Sequence, residues 1–86
     1  MPVTPTLPVR VMLFARYAEV LGRESVALEL PAGSTVADAV AAVRSLPGGA
    51  LLPARPLVAR AMAQVRGEVA LAAGDELALL PPMSGG

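Results

Sequence analysis

At 86 residues the chain is sized for one small domain with a single core. Its charge is balanced, with seven arginines and no lysine against seven acids, so it offers no basic stripe for a phosphate backbone and no nucleic-acid partner is expected. Without histidine, cysteine or lysine it also lacks an imidazole base, a thiolate nucleophile, a Schiff-base amine and any soft or borderline metal site.

What remains for side-chain chemistry is Ser25, Ser34, Ser45, Ser84, three threonines, Tyr17 and scattered acids. A serine without a base is a weak nucleophile, so neither self-sufficient catalysis nor a bound metal is expected. Hydrophobic residues make up 55% of the chain, but 17 residues are alanine, so the excess reflects small side chains rather than large apolar surface. No apolar run approaches the length needed to span a bilayer, and no membrane partner is expected. Residues 1–8 have neither the basic segment nor the apolar stretch of a secretory signal and read as a flexible leader. With no cysteine, a cytoplasmic protein is expected.

In chain order, Val9 to Phe14 has period-2 character and predicts a first strand. Ala15 to Leu21 suits a short helix stopped by Gly22. Glu24 to Leu30 alternates more cleanly, with Val26, Leu28 and Leu30 toward a core, and pairs most simply antiparallel to the first strand. Pro31 to Ser34 is a turn. Thr35 then starts a box-like helix entry, its hydroxyl placed to accept from the amide near Asp38. Val36, Val40, Val43 and Leu46 give the main helix one apolar stripe, and Pro47-Gly48-Gly49 ends it.

Beyond a connection at residues 51–56, Leu57 to Val65 reads as a third strand, although its alanines would tolerate helix. Val65 to Leu71 offers a turn and a short strand. Ala73-Gly74-Asp75 is another turn, in which Asp75-Glu76 reads as turn and strand start rather than as a catalytic carboxylate pair. Glu76 to Leu80 is the last strand, expected at the centre of the sheet beside the first. One helix across a mixed sheet of four or five strands buries both apolar faces, an α+β arrangement.

The segment Pro81-Pro82-Met83-Ser84-Gly85-Gly86 is the most informative part of the chain. Prolines cannot continue a ladder and favour extended geometry, so they act as a spacer, or else as a motif for an aromatic groove. Six extended residues at about 3.1 Å each reach on the order of 19 Å. Gly85 and Gly86 carry no Cβ and can pass a narrow channel.

Three stretches resemble the small subunit of molybdopterin synthase, a ubiquitin-like β-grasp sulfur carrier. They are Val11 to Arg16 with Glu19 to Gly22, then Leu30 to Asp38, then Gly74 to Gly86. The likeness spans Val9 to Gly86 and departs from the family near Ala61, where an asparagine is frequent, and at Arg60, which interrupts the apolar run. It implies a β-grasp domain at 9–80 and an extended tail at 81–86.

It implies further that Gly86 carries the reactive carboxylate, guided by Gly85, Ser84, Met83, Pro82 and Pro81. An ATP-dependent adenylating (E1-like) enzyme would activate that carboxylate, and sulfur from a sulfurtransferase or cysteine desulfurase would make it a thiocarboxylate. The large synthase subunit, in a heterotetramer, would pass the sulfur to cyclic pyranopterin monophosphate for molybdenum cofactor biosynthesis. The carrier itself would bind no cofactor and supply no catalytic side chains, ATP being used by its partner. Phe14 and Leu80 match positions where the family presents apolar side chains to partners; the alternative is that both are core residues, and for Leu80 the two readings weigh about equally. Arg10, Arg16 and Arg66 are candidates for the rim, against the ordinary role of isolated charges as solvated surface. Open alternatives are a carrier for thiamine thiazole, tRNA thiolation or cysteine synthesis, a ubiquitin-like protein modifier, and an interaction module with incidental glycines.

Overall fold

The computed structural model describes residues 5–81. Strand β1 (Thr6–Leu13) leads into helix α1 (Arg16–Leu21), strand β2 (Ser25–Pro31) and helix α2 (Val36–Arg44). A 3-10 turn (Gly49–Leu51), strands β3 (Leu57–Arg60) and β4 (Ala63–Val65), and strand β5 (Glu76–Leu80) follow. The strands form one sheet in the order β2-β1-β5-β3-β4. β1 runs antiparallel to β2 and parallel to β5, and β3 runs antiparallel to β5 and β4. The last strand is central, beside the first, as the β-grasp reading requires.

One face of the sheet makes the core. Val9, Val11 and Leu13 of β1, Val26 and Leu30 of β2, Val58 of β3 and Leu77 and Leu79 of β5 are all buried. Helix α2 closes this face with Val36, Ala39, Val40 and Val43. Burying a leucine as fully as Leu77 or Leu79 stabilises the fold by about 1.5–3 kcal/mol. Leu46, the fourth residue of the expected stripe, lies beyond the helix but still packs against the core.

The helix boundaries follow from their caps. At α2 the Asp38 N–H donates to Thr35 Oγ1 at 3.3 Å, and the Thr35 N–H donates to Asp38 Oδ2 at 2.8 Å, a complete capping box. Gly22 ends α1 in the left-handed conformation. After α2 the chain passes so close to the helix that a Cβ on Gly49 would sit 2.3 Å from the Val43 carbonyl oxygen.

The structure differs from the sequence expectations in three places. First, β1 begins at Thr6, so residues 6–8 belong to the sheet rather than to a leader. They pair with Pro31, Leu30 and Glu29, and Leu7 packs against the core. Pro8 fits because its nitrogen faces the β5 side below the first β1–β5 pair, while its carbonyl accepts the Gly74 N–H at 2.7 Å.

Second, residues 57–65 are a hairpin rather than one strand, reversing at Ala61 and Met62 with φ of 52° and 66°. Two positive φ values in a two-residue loop mark a type I′ turn, which favours asparagine and glycine. Ala61 lies near the position where the resembling family often has an asparagine. Third, no full strand forms at 65–71. Its groups bond instead to the entry of α2, with Val36 N–H to Val69 O and Leu71 N–H to Ser34 O, both at 2.9 Å, leaving a single bridge between Thr35 and Ala70.

Arg60, which interrupts the apolar run as expected, also ties β3 to the turn before β5. Its Nη1 donates to Asp75 Oδ2 at 3.0 Å and to Ala70 O at 3.2 Å. The same Asp75 oxygen accepts the Ala72 N–H at 2.8 Å, which fixes the turn into β5.

Two stability predictions follow from local strain. The left-handed conformation costs a non-glycine residue roughly 1–2 kcal/mol, so Ala61→Asn with Met62→Gly should raise unfolding stability by about 1 kcal/mol in urea denaturation. No gain would mean that the turn is not of this type. Among the described residues the buried Tyr17 hydroxyl has no hydrogen-bond partner, so Tyr17→Phe should leave the denaturation midpoint unchanged or raise it. A loss of more than about 1 kcal/mol would show that the hydroxyl is satisfied.

Candidate functional site

Phe14 and Leu80 lie at the same end of the sheet. β1 and β5 are parallel with Leu13 beside Leu79, so Phe14 and Leu80 each stand one residue further along, side by side. Leu13 and Leu79 point into the core, and alternation turns Phe14 and Leu80 to the opposite face. Leu57 is the antiparallel partner of Leu80 on its other side. The three form a row across three strands, with exposures of 44% for Phe14, 36% for Leu80 and 38% for Leu57. A second row of Met12, Ala78 and Ala59 lies half-buried beneath it.

The core reading of Phe14 and Leu80 therefore gives way to a surface one. The helices pack on the other face of the sheet, and among the described residues nothing covers these two rows. Exposed apolar residues that adjoin in this way differ from singly scattered ones, which are ordinary on a protein surface.

The chain turns sharply after Phe14. Ala15 adopts φ 51° and ψ −126°, a conformation costing a residue with a Cβ on the order of 1–3 kcal/mol. The Tyr17 N–H then donates to the Phe14 carbonyl at 3.1 Å. The reversal holds Phe14 at the end of β1 and starts α1 at once.

Of the arginines considered for a rim, Arg16 is exposed at the same end as Phe14 and Leu80. Arg10 lies on the open face beside Glu76, toward the other end of β5. Arg66 follows β4 on the far side of the sheet from β1. They do not form one cluster. Pro81 is half-buried and is the last described residue; Pro82, Met83, Ser84, Gly85 and Gly86 lie outside the described residues.

Leu57 and Met12 complete the patch and were not anticipated from sequence. A signal for Met12 existed, because β1 carries apolar residues in both phases, Val9, Val11 and Leu13 in one and Met12 and Phe14 in the other. Leu57 becomes legible only through its pairing with Leu80.

No described helix is long and apolar enough to cross a membrane. Among the described residues, no three His, Cys, Asp or Glu side chains converge to hold a metal ion.

The ThiS family model matches residues 11–86. SAMP1 from Haloferax volcanii is 34% identical, with 92% of this chain and 99% of that one covered at a TM-score of 0.79. A Pyrococcus furiosus protein, provisionally assigned as molybdopterin converting factor subunit 1, is 21% identical over 90% of this chain and 99% of its own, with a TM-score of 0.77. Small archaeal modifier protein 1 from Methanosarcina acetivorans is 22% identical over 95% of this chain and 99% of its own, with a TM-score of 0.73. The last two likenesses are of fold. From the matched span, the β2-β1-β5-β3-β4 sheet and the identity to SAMP1, the chain belongs to the ThiS family and has the ubiquitin-like β-grasp fold of a sulfur carrier.

Proposed function

We propose that this chain is the sulfur-carrying small subunit of molybdopterin synthase, with the Gly86 carboxylate as its reactive group. The observation that carries the reading is the apolar row of Phe14, Leu80 and Leu57 at the end of the strand that leads into Pro-Pro-Met-Ser-Gly-Gly. A docking surface beside a segment ending in two residues without side chains suits presentation of a carboxyl group to another protein's active site.

A carboxylate is a poor acyl donor because its oxygen is a poor leaving group. In adenylation by an ATP-dependent partner, that oxygen attacks the α-phosphate of ATP, pyrophosphate leaves, and the oxygen becomes part of a good leaving group, AMP. A sulfur donor then displaces AMP to give the thiocarboxylate. The large synthase subunit would accept this group and transfer its sulfur to cyclic pyranopterin monophosphate. Acids, bases and phosphate-binding cations would come from the partners, which suits a chain without His, Cys or Lys.

The 34% identity to SAMP1, a small archaeal modifier protein, favours a second reading, attachment of Gly86 to lysines of other proteins. Carriers for thiamine thiazole, tRNA thiolation or cysteine synthesis share the loading chemistry and differ in the acceptor.

The test is mass spectrometry of the chain after incubation with an adenylating enzyme, ATP and a sulfur donor. One sulfur-for-oxygen increment on the last peptide is expected, and a version extended beyond Gly86 should not load. An unchanged mass where a control carrier loads would sink every carrier reading. Conversion of the pterin precursor by the loaded chain with the large subunit separates this function from the other carriers. Lysine adducts in extracts would favour the modifier.

Docking gives a second expectation. Phe14→Ala and Leu80→Arg should each weaken binding to the large subunit at least tenfold, or about 1.4 kcal/mol, with little change in melting temperature. Unaltered affinity in both variants would remove the patch from the interface.

A further inference from the structure

Three of the chain's arginines stand around the end of the sheet from which residues 81–86 leave. Arg16 opens α1 and Arg23 follows it, both in the connection that starts just beyond Leu13, the partner of Leu79. Arg55 precedes Leu57, the partner of Leu80, by two residues. All three are exposed, and among the described residues none of them forms an ion pair. Six residues extended at about 3.1 Å each would span on the order of 19 Å.

Lysine at such a place would be hazardous to an activated carboxyl group. A deprotonated amine attacks the acyl carbon and the bond to the AMP oxygen breaks. The phosphate leaves with the electron pair, the amine's proton goes to solvent, and an amide remains. That amide no longer transfers sulfur or reaches another protein. Arginine supplies the same positive charge, but its guanidinium keeps its proton and offers no free lone pair. The other amine within the 86 residues is the α-amino group of Met1. The parallel pairing of β1 and β5 sends Thr6 to the opposite end of the sheet from Leu80.

We infer that arginine around the tail exit, in a chain with no lysine, keeps the activated Gly86 acyl group from being spent on the carrier itself. The acyl group then passes only to a nucleophile on another protein, and carriers do not become linked to one another. The inference rests on the reading of Gly86 as an activated carboxyl group.

The full chain prepared as a Gly86 thioester carries the activated group without any enzyme. An amine attack then breaks the C–S bond, and the thiolate leaves with the electron pair. At mildly alkaline pH the wild-type thioester should only hydrolyse. Arg16→Lys should form an amide at residue 16, located by peptide mass mapping, at a yield at least ten times that of Arg10→Lys. Arg10 serves as control because it lies beside Glu76, toward the far end of β5. The inference is overturned by a wild-type amide at any residue, Met1 included, by an Arg16→Lys chain that only hydrolyses, or by equal yields from the two variants. Pyrophosphate exchange with the adenylating enzyme reads the underlying function separately. If the wild type supports no exchange, there is no activated group to protect, and that reading and this inference fall together.

Discussion

The parallel pairing of β1 with β5 is the constraint on which the rest of the molecule depends. It joins the two ends of the sequence at the centre of the sheet, with Val11 beside Leu77 and Leu13 beside Leu79. Parallel neighbours cannot be joined by a tight turn, so the helices, the 3-10 turn and the β3–β4 hairpin all lie within the connection between them. The same pairing sets Phe14 against Leu80, residues that nothing local brings together. The exposed apolar row is assembled only once the last strand has inserted.

Alternation along the central strands divides the labour between two faces. One set of residues meets α2 and makes the core, while the other set, Met12, Phe14, Ala78, Leu80, Ala59 and Leu57, faces outward. The core and the patch share one backbone, so a shift of register by one residue would exchange them. The ties that prevent such a shift lie elsewhere on the sheet. Asp75 holds Arg60 of β3 and the Ala72 amide with one oxygen, and the Gly74 N–H bonds to Pro8 of β1. These contacts anchor both neighbours of β5 near its start and leave its far end free for partners.

Much of this was legible in the sequence because the chemistry was local. Thr35 with Asp38 announced the entry to α2, Gly22 the end of α1, and Leu77 to Leu80 the final strand. The misses share a cause, since in each the deciding partner is remote in sequence or the usual residue is absent. Residues 6–8 carry no strand-like alternation of their own, and Pro8 fits the sheet because its nitrogen faces a position where β5 has not begun. The β3–β4 reversal was hidden because Ala61 and Met62 occupy left-handed positions where a hairpin normally shows asparagine and glycine. The short strand expected within 65–71 reduces to one bridge because amides and carbonyls there bond to the entry of α2. Leu57 gained meaning only through a strand more than twenty residues away.

The placement of β5 also has a mechanical consequence. A protein that draws the tail into a channel pulls along the axis of β5, which is bonded on one side to β1 and on the other to β3. The hydrogen bonds of both ladders lie across that line of force and are loaded together in shear. Peeling them one after another would require a sideways pull, which traction on the tail does not supply. The domain can therefore act as a rigid handle while its end is tugged, threaded and released.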